Sequence, residues 1–260
     1  MKKILAVIVC LFCLAIENAF SAQVAWMYVQ HRDYEDGRSL NRLSFGLTDE
    51  NGQYLRNDDS VTDVKLYDPN GKTVNLPPHN FDSDEEMYGS YDGKNSQWHY
   101  GDDWRFSSWF SANFSVKLIP GIYRLKVTTD AGQVAERTFE FNKIVKLPIF
   151  PSNSIQLHPD SFGNVIWTWA IPEDLGRLAF NYKTRARASI DIYKNQQIVA
   201  WVSITVPSHM GYVFIPRDVV QEINSKGDRF GLKIQLETKD NGCRTYSKPL
   251  FTNNLPATVR

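Results

Sequence analysis

Cysteine is scarce in this chain of 260 residues, and its scarcity excludes a disulfide framework. Cys10 and Cys13 lie in an apolar N-terminal run, and Cys243 stands alone. Once that run is cleaved off, as expected below, a single thiol remains and cannot form an internal disulfide. We therefore expect the hydrophobic cores to stabilise the fold, and the remaining length is ample for them. Because Cys243 follows a hairpin signal, we expect a surface or half-buried thiol rather than a nucleophile.

An excess of either charge is also lacking, since 29 Lys and Arg residues balance 29 Asp and Glu residues. No basic tail or stripe stands out, which excludes binding driven by nucleic acid phosphates. Motifs for catalysis are missing as well: no His-Glu-x-x-His, no Gly-x-Ser-x-Gly and no pair of histidines at a metal-binding spacing occurs. The sequence thus predicts a protein without catalytic residues, metal or cofactor, and we expect that it is not an enzyme.

Long apolar runs are absent except at the start of the chain, from Ile4 to Ile16. Lys2 and Lys3 precede this run, and Ala19 and Ser21 offer small residues at the −3 and −1 positions of a cleavage site. This layout predicts a secretory signal peptide over residues 1–21, and the run is too short to span a bilayer comfortably. A retained anchor is the alternative. We expect an exported bacterial protein, periplasmic or extracellular, with no membrane span after cleavage.

Short strands with period-two alternation make up nearly everything else. Tyr123, Leu125 and Val127 alternate with polar residues, and the same pattern recurs over 198–206 and 230–236. Only the segment 217–225 has a helical pattern. Strands of this length and spacing predict an all-β fold of antiparallel sandwiches.

The segment KLPIFPSN at 146–153 is the best internal boundary, because its two prolines disfavour a central strand. It divides the chain after the signal peptide into two tandem domains, 22–145 and 154–260. The short connection predicts that the two domains touch.

Two short motifs carry a resemblance to known families. Trp169-Ala170-Ile171-Pro172 closes an early strand, and Phe230-x-Leu232-x-Ile234 lies in a late one. Over residues 151–252 the chain resembles a fibronectin type III module, although Phe230 stands where that family usually has tyrosine and the helical segment is extra. Through Pro120–Leu125 the first domain resembles bacterial immunoglobulin-like modules. Both resemblances imply binding, spacing or assembly rather than catalysis.

Residues 81–114 form an aromatic and acidic stretch, which we interpret as an insertion in the first domain. It holds ten aromatic residues and seven acids against only Lys94 and Arg105, so nucleic acid would be repelled. Three interpretations stay open: an elaborated core wall, a protein-binding surface, or a glycan-binding surface on which sugar rings stack. The predicted ligand-binding residues are Tyr91, Trp98, Tyr100, Asp102, Asp103 and Trp104.

Acidic residues at the start of this stretch resemble the beginning of a calcium loop. Asp82, Asp84 and Glu86 have the spacing, but Met87 and Gly93 replace the required glycine and bidentate acid, which excludes an EF-hand. A looser oxygen cage, which could also include Glu85, and a solvated acidic loop are the two alternatives.

These observations favour an exported, non-enzymatic binding or assembly protein that recognises a protein partner of the envelope or extracellular space through the aromatic stretch. A carbohydrate-binding accessory protein is the alternative, with polysaccharide as its ligand. A glycoside-active enzyme is a third hypothesis, in which Asp102 or Asp103 would act with Glu85 or Glu86.

Overall fold

The computed structural model of the chain describes residues 22–55, 61–77, 80–92, 94–101, 105–240 and 242–256. The predicted signal peptide, residues 1–21, lies outside them. Within these ranges, no helix combines the length and apolarity that crossing a membrane requires.

The described residues form seventeen strands, two short α-helices and one 3-10 turn at Ser152–Ser154. Before the boundary segment lie β1 (Gln23–Tyr34), β2 (Ser39–Thr48), β3 (Val61–Tyr67), β4 (Thr73–Val74), β5 (Asn80–Asp92), β6 (Gln97–Tyr100), β7 (Arg105–Phe114), β8 (Gly121–Thr129) and β9 (Val134–Phe141). After it lie β10 (Gln156–Pro159), β11 (Val165–Thr168), α1 (Leu175–Tyr182), β12 (Arg185–Lys194), β13 (Gln197–Pro207), β14 (Tyr212–Ile215), α2 (Arg217–Lys226), β15 (Arg229–Glu237), β16 (Cys243–Tyr246) and β17 (Leu250–Thr252).

Eight of these strands pair in a closed ring. The order is β12-β13-β5-β7-β2-β1-β16-β15, and an additional pairing of β15 with β12 closes it. β6 and β17 add to this sheet outside the ring, at β5 and β15 respectively. We call these eight strands the ring. Strand pairing is therefore continuous around it, which leaves the ring itself without an open edge.

Both halves of the chain contribute four strands to the ring, and they meet at two seams. β1 pairs with β16, and β5 pairs with β13, in both cases in parallel. The sequence predicts antiparallel sheets, and these seams are the exceptions. A parallel pair needs a long crossover connection, which the distance along the chain between the two halves supplies.

The boundary segment at 146–153 packs into the structure. Leu147 and Phe150 are buried in a hydrophobic core formed mainly by the second half of the chain, together with the preceding Val145. Because the halves share one sheet, the segment does not separate two independent sheets. The division into domains 22–145 and 154–260 stays a prediction, whereas the all-β class with sandwich-like sheets is confirmed.

The first core lies between the ring and a four-stranded sheet, β4-β3-β8-β9. Alternation explains it: on β8, Tyr123, Leu125 and Val127 are buried, as predicted. They meet the apolar residues of β1 and β2, among them Val29 and Phe45. One face of these ring strands thus points outward into a sandwich core.

The second core lies on the outer face of β12, β13 and β15. A three-stranded sheet, β10-β11-β14, and helix α2 cover it. Trp167 is fully buried there and Trp169 nearly so, which places the tryptophan motif in the core. The helix predicted over 217–225 ends one residue later, at Lys226, and buries Val219, Val220 and Ile223. Helix α1 was not predicted from the sequence.

The described residues of the aromatic and acidic stretch form β5, β6 and β7, and β5 and β7 are ring strands. Its interpretation as an insertion over 81–114 stays a prediction. The acidic run from Asp82 to Glu86 correspondingly lies within β5, which pairs with β7 and β13, and not in a solvated loop. Gly89 in the same strand allows Tyr100 to approach closely, since an added Cβ would lie 3.0 Å from its ring.

Candidate functional site

The inner face of the ring is polar, although its outer face is apolar. On β12, Ala188 and Ile190 point outward into the second core, and the alternating Arg187, Ser189 and Asp191 line the interior. The other ring strands follow the same alternation. The ring therefore encloses a third interior, distinct from the two hydrophobic cores.

This interior contains a cavity of about 660 Å³, which we call the ring cavity. All eight ring strands contribute lining residues. Its aromatic walls are Trp26, Tyr28, Tyr54, Tyr88, Trp109, Trp201 and Tyr246. Tyr88 and Ile198 line it while remaining 46% and 44% exposed, so the ring cavity is open to solvent beside these residues. A volume of this size accommodates one small ligand.

Positive charge predominates among the described side chains that line the ring cavity. The basic ones are Arg32, Arg42, Arg187, Lys233 and Arg244, and the acidic ones are Glu86 and Asp191. Lys233 donates to both carboxylate oxygens of Asp191, at 2.8 and 2.6 Å, so these two charges compensate each other.

Glu237 holds three arginines in place, and it lies on the same face of β15 as the lining residues Lys233 and Gln235. It is fully buried and accepts hydrogen bonds from Arg185 and from Arg187 at 3.2 Å, and it pairs with Arg244 at 2.5 Å. Burial by itself would raise the pKa of Glu237, but Arg244, Arg187 and Arg185 outweigh it and hold this pKa well below its ordinary value. The carboxylate is thus ionised at neutral pH.

Arg32 is the buried arginine without a carboxylate partner. Its Nε and Nη2 donate to Gln30 Oε1 at 3.0 and 2.6 Å, and its guanidinium lies 5.4 Å from the centre of the Tyr246 ring. Among the described residues, no acidic side chain lies within ion-pair distance of it. Burial lowers the pKa of Arg32 to about 10, and the nearby Arg244 and Arg42 act in the same direction.

Tyr246 lies between two guanidinium groups. Arg32 stacks over its ring, and Arg244 Nη1 is 3.4 Å from its hydroxyl. Burial would raise the pKa of the phenol, but Arg32 and Arg244 outweigh it and lower this pKa to about 8. The Tyr246 ring also stacks on Tyr34, at 4.9 Å between ring centres.

Several buried polar atoms of the lining have no hydrogen-bond partner in the described part of the protein. They include Gln30 Nε2, Arg187 Nε, Trp201 Nε1, Arg244 Nε and Gln235 Oε1. Leaving a buried polar group unsatisfied costs about 1–3 kcal/mol, so such groups normally meet water or a ligand. Most of these atoms are donors, which suits an acceptor-rich ligand.

Three of the predicted site residues, Tyr91, Trp98 and Tyr100, lie in the β5–β6 hairpin and outside the ring cavity. All three are half-buried against the second core. Trp98 contacts Tyr91 at 4.9 Å and Tyr212 at 6.0 Å between ring centres, and the Tyr100 hydroxyl donates to the carbonyl of Phe214. This hairpin is therefore a wall of the core at β14. Its role in binding stays a prediction, and Asp102, Asp103 and Trp104 lie outside the described residues.

Sequence reasoning missed the residues that line the ring cavity. Tyr88 and Trp109 belong to the same aromatic stretch but face inward from β5 and β7. The strongest available signal is Trp26-x-Tyr28-x-Gln30-x-Arg32, where large aromatic and polar residues share one face of a strand. A wholly solvated face rarely carries two such rings in succession.

Metal and thiol chemistry find little support in the described part of the chain. No group of three His, Cys, Asp or Glu side chains there is arranged to hold a metal ion. Within the acidic run, Glu86 is buried and lines the ring cavity instead. Cys243 is fully buried rather than at the surface: its sulfur accepts from the Val145 backbone N–H at 3.1 Å, and burial raises its pKa to about 11.

No protein-family model matches the sequence, and no curated protein matches it significantly. Solved structures similar to the chain include the FN1–FN3 domains of chicken CNTN1, with 8% identity, a TM-score of 0.28 and coverage of 88% of this chain and 65% of that one. Tp47, the 47-kilodalton lipoprotein of Treponema pallidum, matches with 11% identity, a TM-score of 0.32 and coverage of 87% and 50%. Murine CEACAM1b matches with 11% identity, a TM-score of 0.21 and coverage of 89% and 99%.

The chain thus spans about two thirds of the first of these structures and half of the second. At these scores the fold assignment rests on the strand pairings themselves.

Proposed function

We propose that this chain is an exported, non-enzymatic binding protein whose ligand site is the ring cavity. The observation that supports this proposal is the set of buried polar atoms, such as Gln30 Nε2 and Trp201 Nε1, that face the cavity without a protein partner. An eight-stranded closed sheet has an interior that side chains can fill or that can hold one small ligand. Here the side chains leave about 660 Å³.

Export rests on the predicted signal peptide over residues 1–21. The absence of catalysis rests on how the charges around the ring cavity are used. Asp191 is paired with Lys233, and Glu237 with three arginines, so neither carboxylate is placed as an acid or base. Glu86, named in the glycoside hypothesis, lines the ring cavity, whereas its proposed partners Asp102 and Asp103 are not described.

The hypothesis of a protein partner keeps one supporting observation. Tyr88 of β5 and Ile198 of β13 are exposed apolar residues of the cavity lining. A partner that docks at either of them would insert one of its side chains into the ring cavity. The polysaccharide hypothesis loses part of its support, since Tyr91, Trp98 and Tyr100 are packed against the second core.

Native mass spectrometry of the purified protein, after incubation with a small-molecule extract of its own envelope fraction, tests the proposal. The matched variants are Ser44→Trp, which fills the ring cavity from β2, and Thr62→Trp, on the exposed surface of β3. We expect a small-molecule adduct that Ser44→Trp loses and Thr62→Trp retains. If the wild-type protein retains no small molecule, or if Ser44→Trp stays folded and retains the same adduct, the ring cavity is not the ligand site.

A further inference from the structure

Not every basic side chain that lines the ring cavity is paired with a carboxylate. Lys233 is paired with Asp191, and Arg187 and Arg244 share Glu237. Arg32 has no such partner, although it is buried, with only 9% of its surface exposed. A guanidinium carries five N–H donors and stays charged, so burial without an anion leaves both its charge and part of its donor set uncompensated.

Gln30 orients this charge toward the ring cavity. Its carbonyl oxygen accepts both hydrogen bonds from Arg32, which fixes the side-chain amide so that Nε2 is the free end. Gln30 is 1% exposed and Nε2 has no protein partner among the described residues. Arg32 and Gln30 therefore present adjacent N–H donors to whatever occupies this end of the ring cavity.

Two further guanidinium groups strengthen the preference for negative charge. Arg32 and Arg244 are direct cross-strand neighbours on β1 and β16, and Arg42 is opposite Gln30 on β2. Like charges so close repel each other, and Glu237 pairs with Arg244 but makes no ion pair with Arg32. An anion bound at Arg32 would relieve this repulsion.

On this geometry, and resting on the proposed function, we propose that Arg32 and Gln30 bind an anionic group of the ligand. The chemical class is a carboxylate, phosphate or sulfate attached to an aromatic or apolar body. The aromatic walls receive that body: Trp26 and Tyr28 stack at 5.3 Å between ring centres and continue the inner face of β1 beside Gln30. Planar, bidentate recognition of such anions is the interaction for which arginine is suited.

Two fluorescent probes of one shape but different charge test the inference. 8-Anilinonaphthalene-1-sulfonate carries a sulfonate, and N-phenyl-1-naphthylamine is the same skeleton without it. Dissociation constants are measured by fluorescence titration of the purified full-length protein at low and high salt. Charge-assisted hydrogen bonds predict that the anionic probe binds about tenfold or more tightly than the neutral one at low salt. Added salt should narrow that difference.

Two variants assign the effect to Arg32. Arg32→Met keeps an unbranched stem and removes the guanidinium with its charge. Arg124→Met removes an exposed charge from β8, in the outer sheet, and is the matched control. We expect Arg32→Met to lower the affinity for the anionic probe to that for the neutral probe, and to leave the affinity for the neutral probe unchanged. Arg124→Met should change neither affinity. Should Arg32→Met fail to fold, the comparison of the two probes on the wild-type protein still decides.

The outcomes separate this inference from the proposed function. If both probes bind the wild-type protein equally, and Ser44→Trp abolishes both, the ring cavity binds ligands but has no anion site, so this inference alone is wrong. This inference alone is also wrong if a folded Arg32→Met variant binds the anionic probe as tightly as the wild-type protein does. If neither probe binds, or if binding of both survives a folded Ser44→Trp variant, the inference fails and the proposed function loses its support as well.

Discussion

Replacement of Glu237 by glutamine should destabilise the fold more than any single surface change. Glu237 is fully buried and compensates Arg185, Arg187 and Arg244 at one point of the ring wall. Glu237→Gln keeps the size of the side chain but leaves these guanidinium groups without their anion. Removing one partner of a buried ion pair typically costs about 3–5 kcal/mol, because the remaining charge stays desolvated.

Urea denaturation followed by tryptophan fluorescence measures this loss. With a urea dependence of about 3 kcal/mol/M for a protein of this size, the midpoint should fall by about 1 M or more. The control is Asp63→Asn, which breaks the exposed pair of Asp63 with Lys65 and should leave the midpoint almost unchanged. Equal midpoints for Glu237→Gln and the wild-type protein would refute the conclusion that the ring wall depends on this carboxylate.

The dependence of the free energy of unfolding on pH gives a second test of the role of Glu237. The folded-state pKa of Glu237 is lowered, so its contribution to stability is complete above the unfolded-state value of about 4.3 and is lost as the pH falls toward the folded-state pKa. The free energies of unfolding of the wild-type protein and Glu237→Gln should therefore converge as the pH falls below about 4. A constant difference between pH 7 and pH 2.5 would contradict the role of ionisation.

Two further predictions concern aromatic residues. Tyr246, held at a pKa of about 8 by Arg32 and Arg244, should ionise before the other tyrosines in a titration of absorbance at 295 nm, and Arg32→Met should move this first step to higher pH; no tyrosinate signal below pH 9 would contradict the arrangement. Trp98→Ala should lower the free energy of unfolding by about 2 kcal/mol, since the ring is half-buried against Tyr91 and Tyr212. Unchanged stability together with lost partner binding would instead identify Trp98 as a recognition residue.

Local alternation was sufficient to predict most strands. Where one face of a strand packs into a core, every second residue is apolar and buried, as for Tyr123, Leu125 and Val127 of β8. In the β12–β13 hairpin, the two turn residues, Asn195 and Gln196, both have positive φ, as a two-residue turn between such strands requires. Helix α2 followed from the spacing of Val219, Val220 and Ile223.

The closure of the ring could not be predicted in this way. Its seams join His31–Tyr34 to Cys243–Tyr246 and Glu85–Ser90 to Ala200–Thr205, segments that are far apart along the chain. No turn or local pattern marks such a parallel pairing. Sequence periodicity specifies that a strand has an apolar and a polar face, but not whether the polar face meets solvent or another strand.

The same ambiguity explains why the predicted site residues and the lining of the ring cavity come from different parts of the aromatic stretch. The sequence shows an abundance of rings and acids over 81–114, but their direction depends on which strands flank β5 and β7. Pairing with β13 and β2 turns Tyr88 and Trp109 into the ring, whereas Tyr91 and Trp98 extend beyond it along the β5–β6 hairpin. The composition of the sequence identifies the segment. The strand pairing of the ring then determines which of its aromatic residues line the ring cavity and which pack against the second core.

The ring also accounts for the choice of residues at the candidate site. In an ordinary sandwich, the polar face of each sheet is solvated, and an arginine there needs no partner. Once two such sheets close on each other, their polar faces are removed from bulk water, and each donor must find an acceptor inside. Glu237 and Asp191 meet this demand for Arg187, Arg244 and Lys233, but not for Arg32. On the proposed function, the remaining demand would fall on a ligand in the ring cavity, so the geometry that closes the fold would also select the charge of that ligand.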